Sequence, residues 1–277
     1  MERFAVGFAP GHISGYFKRV DGLSIQTTGS LGAGVVIDKG VYVKMSPSKE
    51  LNVKINGETV DSWLIREVLE PFGKNADVEV TAEMPIGSGF GMSAAGLLAS
   101  YFAADAVFDL GLSKNDMFLK AHAIEVKHGT GLGDVTAISC GEIVVRTKPG
   151  IHGILKKFYD DRDIYCLSFG EIPTNEVISS PEKMKKVEEA FPQSVPSNAD
   201  EFMKNSLEFA RNSGLLLSEL EEIIQACESE NIPCSMTMLG KGVFAFGEKA
   251  KEILEKFGEP VKLRINSTGP CVVKMKR

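Results

Sequence analysis

Three glycines alternate at positions 87, 89 and 91, inside Pro85-Ile86-Gly87-Ser88-Gly89-Phe90-Gly91-Met92-Ser93-Ala94-Ala95. What flanks them narrows the possible folds. Asp77 to Glu83 alternates polar and apolar residues, the period of a half-buried strand. Ala94 to Val107 is rich in Ala and Leu, with no Gly or Pro after Gly96, and predicts a helix. The glycines therefore join a strand to a helix N-terminus. Glycine lets a backbone turn tightly and come close to a ligand. The first N–H groups of a helix lack internal partners and carry partial positive charge, which suits phosphate. Ser88 and Ser93 add hydroxyls for a phosphate or a phosphate-bound metal. The alternative is a tight structural turn; anion binding is favoured over it. The stretch is neither Gly-x-x-x-x-Gly-Lys-Ser/Thr nor Gly-x-Gly-x-x-Gly, so the P-loop and dinucleotide fingerprints are absent.

A chain of 277 residues holds one large domain or two ordinary ones. Its 43% hydrophobic and 25% charged residues fit a soluble globular protein. A net charge of −6 argues against nucleic acid, which calls for a basic face. The 5 cysteines are scattered with no Cys-x-x-Cys pair, and the 4 histidines add no zinc spacing. Reduced thiols and a cytoplasmic location are expected. No signal peptide is expected at the N-terminus, and no apolar run is long enough for a bilayer, so no membrane partner is expected.

Along the chain, residues 3–9 predict a strand, broken into a loop by Pro10-Gly11-His12-Ile13-Ser14-Gly15. Residues 29–34 read as a second glycine-rich turn, followed by strands at 35–37 and 41–45. Asn56-Gly57 signals a hairpin or turn. Residues 61–70 look helical up to Pro71. Ser113 to Asp116 matches a capping box opening a helix to about Lys127, and the glycines from Gly129 end it. A short helix at 134–139 and a strand at 142–147 follow. Pro149-Gly150 is the expected boundary between domains 1–149 and 150–277. The second half mixes helices from 181 to 229 and at 249–257 with strands at 164–169, 235–239, 243–246, 261–265 and 271–275.

Two acids stand out. Glu125 shares a helix face with Phe118 and Ala121, so it should point inward, near the end where the helix dipole disfavours a carboxylate. Such an acid needs a cation or a proton: a metal, or a salt bridge to Lys or Arg, the remaining alternative being an exposed residue. Asp134 follows Gly129, Gly131 and Gly133 and either caps the next helix or faces a substrate hydroxyl.

The stretch Pro85–Ala95 resembles the ATP loop of the GHMP small-molecule kinases, Pro-x-Gly-x-Gly-x-Gly-Ser-Ser-Ala-Ala, with Met92 in place of the first serine. Ala9 to Gly15 resembles the family's first motif, a substrate turn. Met236 to Phe244 resembles the third, with Met238 where glycine is usual. The resemblance covers most of the chain. It implies an α+β, two-domain architecture: an N-terminal domain like ribosomal protein S5 domain 2, a ferredoxin-like C-terminal domain, and the site between them.

The resemblance also assigns roles. Pro85, Gly87, Ser88, Gly89, Gly91, Ser93 and Ala94 would bind ATP, Ser93 and Glu125 would hold magnesium, and Asp134 would be the catalytic base. His12 and Arg146 are the candidate substrate contacts, since a carboxylate-bearing acceptor needs a fixed cation. Their alternatives are a surface turn histidine and an exposed strand arginine. Lys241 is either near a phosphate or solvated.

Phe8 to Phe17, Gly29 to Val35 and Gly131 to Val135 resemble one branch of the family, and that resemblance implies phosphorylation of the primary hydroxyl of pantoate, to 4-phosphopantoate, in coenzyme A biosynthesis. Homoserine, shikimate and mevalonate are rival acceptors, and a non-catalytic sensor of the same fold is the rival from another class. ATP, magnesium and a small hydroxy acid are the expected partners, with a homodimer left open.

Overall fold

The computed structural model describes residues 3–153, 155–172 and 180–276. Two sheets organise it. The larger is built on two long antiparallel strands, β1 (Phe4–Val20) and β2 (Gly29–Pro47). The hairpin β3 (Asn52–Ile55) and β4 (Glu58–Thr59) turns at Asn56 and Gly57, both with positive φ, as a two-residue loop requires. Helix α1 (Trp63–Leu69) and a 3-10 turn through Pro71 lead to β5 (Ala76–Ala82).

Helices α2 (Met92–Phe108), α3 (Lys114–His128) and α4 (Asp134–Cys140) follow. Next come β6 (Ile143–Arg146), β7 (Leu155–Phe158), β8 (Ile164–Glu171), α5 (Pro181–Glu189), α6 (Ala199–Asn212) and α7 (Ser218–Ser229). The chain continues through β9 (Cys234–Met236), β10 (Gly240–Phe246), α8 (Glu248–Leu254), β11 (Val261–Leu263) and β12 (Cys271–Lys276).

The larger sheet runs β12-β1-β2-β5-β3-β4, with β6 pairing β2 and β7 pairing β6; the smaller runs β11-β8-β10-β9. This is a mixed α+β fold with two sheets. Residues 155–158 and 271–276, both beyond Pro149, lie in the first sheet, and β12 seals its edge along β1. Helix α2 is apolar on every side, and its small residues Ala94, Ala95, Ala99, Ala103 and Ala104 are buried. Such a helix is stable only inside a core.

Two expected loops are strands. Pro10 to Gly15 does not break β1; the proline sits at a bulge, between Pro10 and Gly11, where its missing N–H disturbs no regular ladder. Residues 29–34 are not a turn either. They are paired on both sides, with β1 and, through Gly32 to Val35, with β6. The capping box opens α3 as expected, with Ser113 Oγ accepting from the Asp116 amide and Asp116 Oδ2 accepting from the Ser113 amide.

Candidate active site

The glycine loop joins β5 to α2, and Gly87, Gly89 and Gly91 all take positive φ, at 79°, 83° and 65°. A residue with a β-carbon is strained at each of these angles, so three of them within five residues call for glycine. Phe90 is buried in the core and anchors the loop, while the His12 amide donates to the Phe90 carbonyl at 2.9 Å. No side chain caps α2 at Gly91, so the first amides of the helix have no capping partner. The Ser88 hydroxyl is buried without a partner among the described residues.

The third glycine-bearing segment closes over this loop. Thr237 Oγ1 donates to the Ser88 carbonyl at 3.2 Å, and a Cβ on Gly240 would lie 2.0 Å from the same carbonyl oxygen. Met238 lines the cavity where the pattern had glycine.

The acids meet at the far wall. Glu125 ends up inside, 1% exposed. Thr130 Oγ1 donates to its carboxyl at 3.3 Å, and the Ser93 hydroxyl bonds the same carboxyl. Burial first, and then the charge of Asp134, push the Glu125 carboxyl up to about 8, with the Ser93 and Thr130 hydroxyls opposing.

Asp134 opens α4 as its first residue, and the cap position is Gly133. Its side chain, 24% exposed to the cleft, lies 2.6 Å from His12 Nδ1. Burial pushes the Asp134 carboxyl up, but the His12 hydrogen bond, the interaction with the His12 ring and the nearby Arg146 charge outweigh it and hold the carboxyl below its ordinary value. An ionised carboxylate only accepts, so Nδ1 carries the proton. Burial lowers the His12 pKa, which keeps the ring neutral and leaves Nε2 buried without a partner among the described residues.

Arg146 ends β6 at 3% exposure, which excludes an ordinary surface arginine. Its Nε and Nη1 have no hydrogen-bond partner among the described residues. A buried guanidinium with open donors is costly unless something anionic completes it.

Gly131 and Gly133 make this density possible. A Cβ on Gly131 would sit 2.5 Å from Glu125 Oε2 and 2.8 Å from Asp134 Oδ2; one on Gly133 would sit 2.4 Å from Ser30 Oγ and 2.6 Å from Arg146 Nε. One cavity is thus lined by Gly87, Gly89, Gly91, Ser93, Ala94, Glu125, Asp134 and Arg146.

Four candidates stand off its surface. His12 lies behind Asp134, at 1% exposure and on a strand rather than a surface turn. Pro85 is exposed at the loop's start, and Ser88 is buried beneath it. Lys241 pairs with Glu219 at 3.8 Å. Sequence reasoning did not single out Ser30, Thr130 or Thr237; the glycines beside the first two and the third motif around Thr237 were the available signals.

Among the described residues no three His, Cys, Asp or Glu side chains converge as a metal cage. Magnesium does not need one, since it binds through one or two carboxylates and substrate phosphates and keeps waters. The Glu125 carboxyl, raised first by burial and then by the charge of Asp134, and set beside the Ser93 hydroxyl and the α2 N-terminus, fits that donor set.

An uncapped helix N-terminus, a carboxylate held ionised and a buried guanidinium with open donors meet in one cleft, an arrangement that suits a small-molecule kinase. The profile of the GHMP kinases N terminal domain matches residues 60–142. Pantoate kinase from Methanospirillum hungatei is 41% identical over 275 residues, covering 96% of this chain and 95% of that protein. Pantoate kinase from Methanocaldococcus jannaschii is 35% identical over 258 residues, covering 87% and 92%. A solved structure described as a phosphotransferase related to the CoA biosynthesis pathway superposes with a TM-score of 0.83 at 31% identity, covering 97% and 98%. Homoserine kinase from Cytophaga hutchinsonii, TM-score 0.63 at 16% identity over 99% and 98%, shares the fold alone. The chain belongs to the GHMP kinase family and, within it, to the pantoate kinases.

Proposed function

We propose that the chain transfers the γ-phosphoryl group of ATP to the primary hydroxyl of pantoate, making 4-phosphopantoate for coenzyme A biosynthesis. The observation that carries the acceptor class is Arg146: its buried guanidinium opens unpaired donors in the same cavity as Asp134 and the glycine loop. A planar guanidinium suits a carboxylate. Phe17 and Leu132 line the same cavity and offer apolar surface to the two methyl groups of the acceptor.

In the reaction, the loop amides and the α2 N-terminus hold the phosphates, and Asp134 orients the acceptor hydroxyl. As the hydroxyl oxygen bonds to the γ-phosphorus, the bond from that phosphorus to the ADP oxygen breaks, and Asp134 takes the hydroxyl proton. His12 contributes by holding Asp134 in place and ionised, with no contact of its own to the acceptor. Magnesium would be held by Glu125 and Ser93 and would offset phosphate charge. Glu125 would exchange its proton for that cation.

Homoserine and shikimate also carry carboxylates, so the acceptor is tested directly. ADP release is measured with pantoate, homoserine, shikimate, mevalonate and pantothenate. Pantoate is expected to give the highest kcat/KM, and a higher value for any of the others would reassign the acceptor. A non-catalytic sensor would bind ATP without turnover, an outcome that the meeting of Ser93, Glu125 and Asp134 argues against. A cytoplasmic setting accords with five free cysteines. No helix among the described residues is long and apolar enough to cross a membrane. A homodimer is tested by sedimentation equilibrium.

A further inference from the structure

The smaller sheet touches the glycine loop as well. The Ile172 amide, just past β8, donates to the Gly87 carbonyl at 3.3 Å. Glu171, the last residue of β8, lays its side chain against the same glycine: a Cβ on Gly87 would sit 2.9 Å from its Cδ and 3.0 Å from its Oε2. Glu171 is the register partner of Gly240 on β10, and Gly240 packs on the Ser88 carbonyl. Lys241, the next residue of β10, turns to Glu219 instead. Glu171 is exposed and makes no hydrogen bond or ion pair among the described residues. Gly87 lines the active-site cavity, so an unpaired carboxylate stands at the rim of that cavity.

That place is wrong for a phosphate. A carboxylate accepts hydrogen bonds and donates none, and two anions repel. The reacting phosphate belongs at the other end of the loop. There Gly91 packs on His12, a Cβ on it lying 3.1 Å from the His12 carbonyl oxygen, and Ser93 bonds Glu125. Gly87 stands four residues earlier, so a nucleotide laid along the loop brings its sugar toward Gly87. Ribose follows directly on the phosphates and offers two hydroxyl donors without charge.

We infer that Glu171 is a specificity-determining residue for the phosphoryl donor, its carboxylate accepting hydrogen bonds from the ribose hydroxyls. This rests on ATP being that donor. The exocyclic amine of adenine is also a donor, but it lies one sugar further from the phosphates. A nucleotide held in this way touches both sheets, since Glu171 comes from the smaller and the glycine loop follows β5 of the larger.

The test measures kcat/KM for ATP, 2′-deoxyATP, 3′-deoxyATP and inosine triphosphate, with whichever acid supports ADP release. Wild type is expected to prefer ATP to at least one deoxynucleotide by roughly fivefold or more, the scale of a hydrogen bond to a charged group at a wet rim. Glu171→Ala is expected to bring that preference to within about twofold, with the KM for the acid and the preference for ATP over inosine triphosphate unchanged. Each preference is a ratio within one preparation, so a partly unfolded variant does not distort it. A deoxynucleotide preference kept in Glu171→Ala, or none in the wild type, would overturn the assignment. Loss of the preference over inosine triphosphate instead would place the carboxylate on the base. The underlying function fails separately: if no acid supports ADP release, the kinase reading falls and Glu171 with it, whereas turnover without a ribose preference removes Glu171 alone.

Discussion

His12 and Asp134 are bound side chain to side chain, Nδ1 to Oδ1 at 2.6 Å, across the cleft between β1 and the start of α4. The same His12 donates its backbone amide to Phe90 in the glycine loop. One residue thus fixes both the proposed base and the glycine loop, and on the proposed mechanism the distance between attacking hydroxyl and phosphorus. Proximity of this kind is a large share of what a kinase supplies.

Removal of the His12 ring should therefore move the acid limb of the reaction. Asp134 must be ionised to accept a proton, and the His12 hydrogen bond helps hold its carboxyl below the ordinary value. In His12→Ala that support is gone, so activity should begin to fail at a higher pH on the acid side. The pH profile of kcat/KM for pantoate measures this; an unshifted acid limb would separate His12 from the base.

Glu125 makes the metal-free protein sensitive to alkali. Its carboxyl is raised from 4.5 to about 8 in the folded state. Between those values the native form holds a proton that the unfolded chain has released, so stability is undiminished below pH 4.5 and declines as pH rises toward 8. Glu125→Gln removes the decline. In EDTA, the variant should melt at a higher temperature than wild type at pH 8, by at least ~1 kcal/mol in stability, with little difference near pH 4.5. Its response to magnesium–ATP should be weakened. A variant that melts lower at pH 8 would mark Glu125 as part of a structural ion pair.

Arg146→Met keeps much of the side-chain bulk and removes the charge. The KM for pantoate should rise roughly tenfold or more, as expected for a lost charge-assisted pair, while the KM for ATP changes little. Steady-state kinetics in both substrates decides it, and an equal rise in both would place Arg146 outside the acceptor subsite.

How far the sequence could be read depended on how local each feature is. The strand–glycine–helix unit around Gly87, Gly89 and Gly91 was legible because the special φ angles must be coded by the residues themselves. The capping box at Ser113 was legible for the same reason. Pro10 to Gly15 was misread because Pro and Gly usually interrupt a strand, and only the pairing of β1 with β2 turns them into a bulge. The short β7, Leu155–Phe158, carries no signal apart from its partner β6. In the site, Asp134 and Glu125 stood out as acids in awkward surroundings. The burial of Arg146, and its neighbour Ser30, depend on three strands meeting, which no local pattern records.

Gly131 gives a test of how tightly the site is packed. A Cβ there would press on Glu125 Oε2 and Asp134 Oδ2 together, so one of the two carboxylates must shift. Gly131→Ala should cut kcat at least tenfold, the scale of misplacing a positioned group by a fraction of an ångström, and leave the melting temperature nearly unchanged. A comparable loss of stability would mean that the strain spreads into the fold.

Asp134→Asn addresses the catalytic base directly. Asparagine keeps the size and still accepts a hydrogen bond from His12, but it cannot take the acceptor proton. With saturating ATP and pantoate, turnover is followed by ADP release, with a melting curve alongside. Turnover lower by roughly two to four powers of ten, with ATP binding and melting preserved, is the expected result. Turnover within a few-fold of wild type would contradict it and leave phosphoryl transfer to positioning and charge alone.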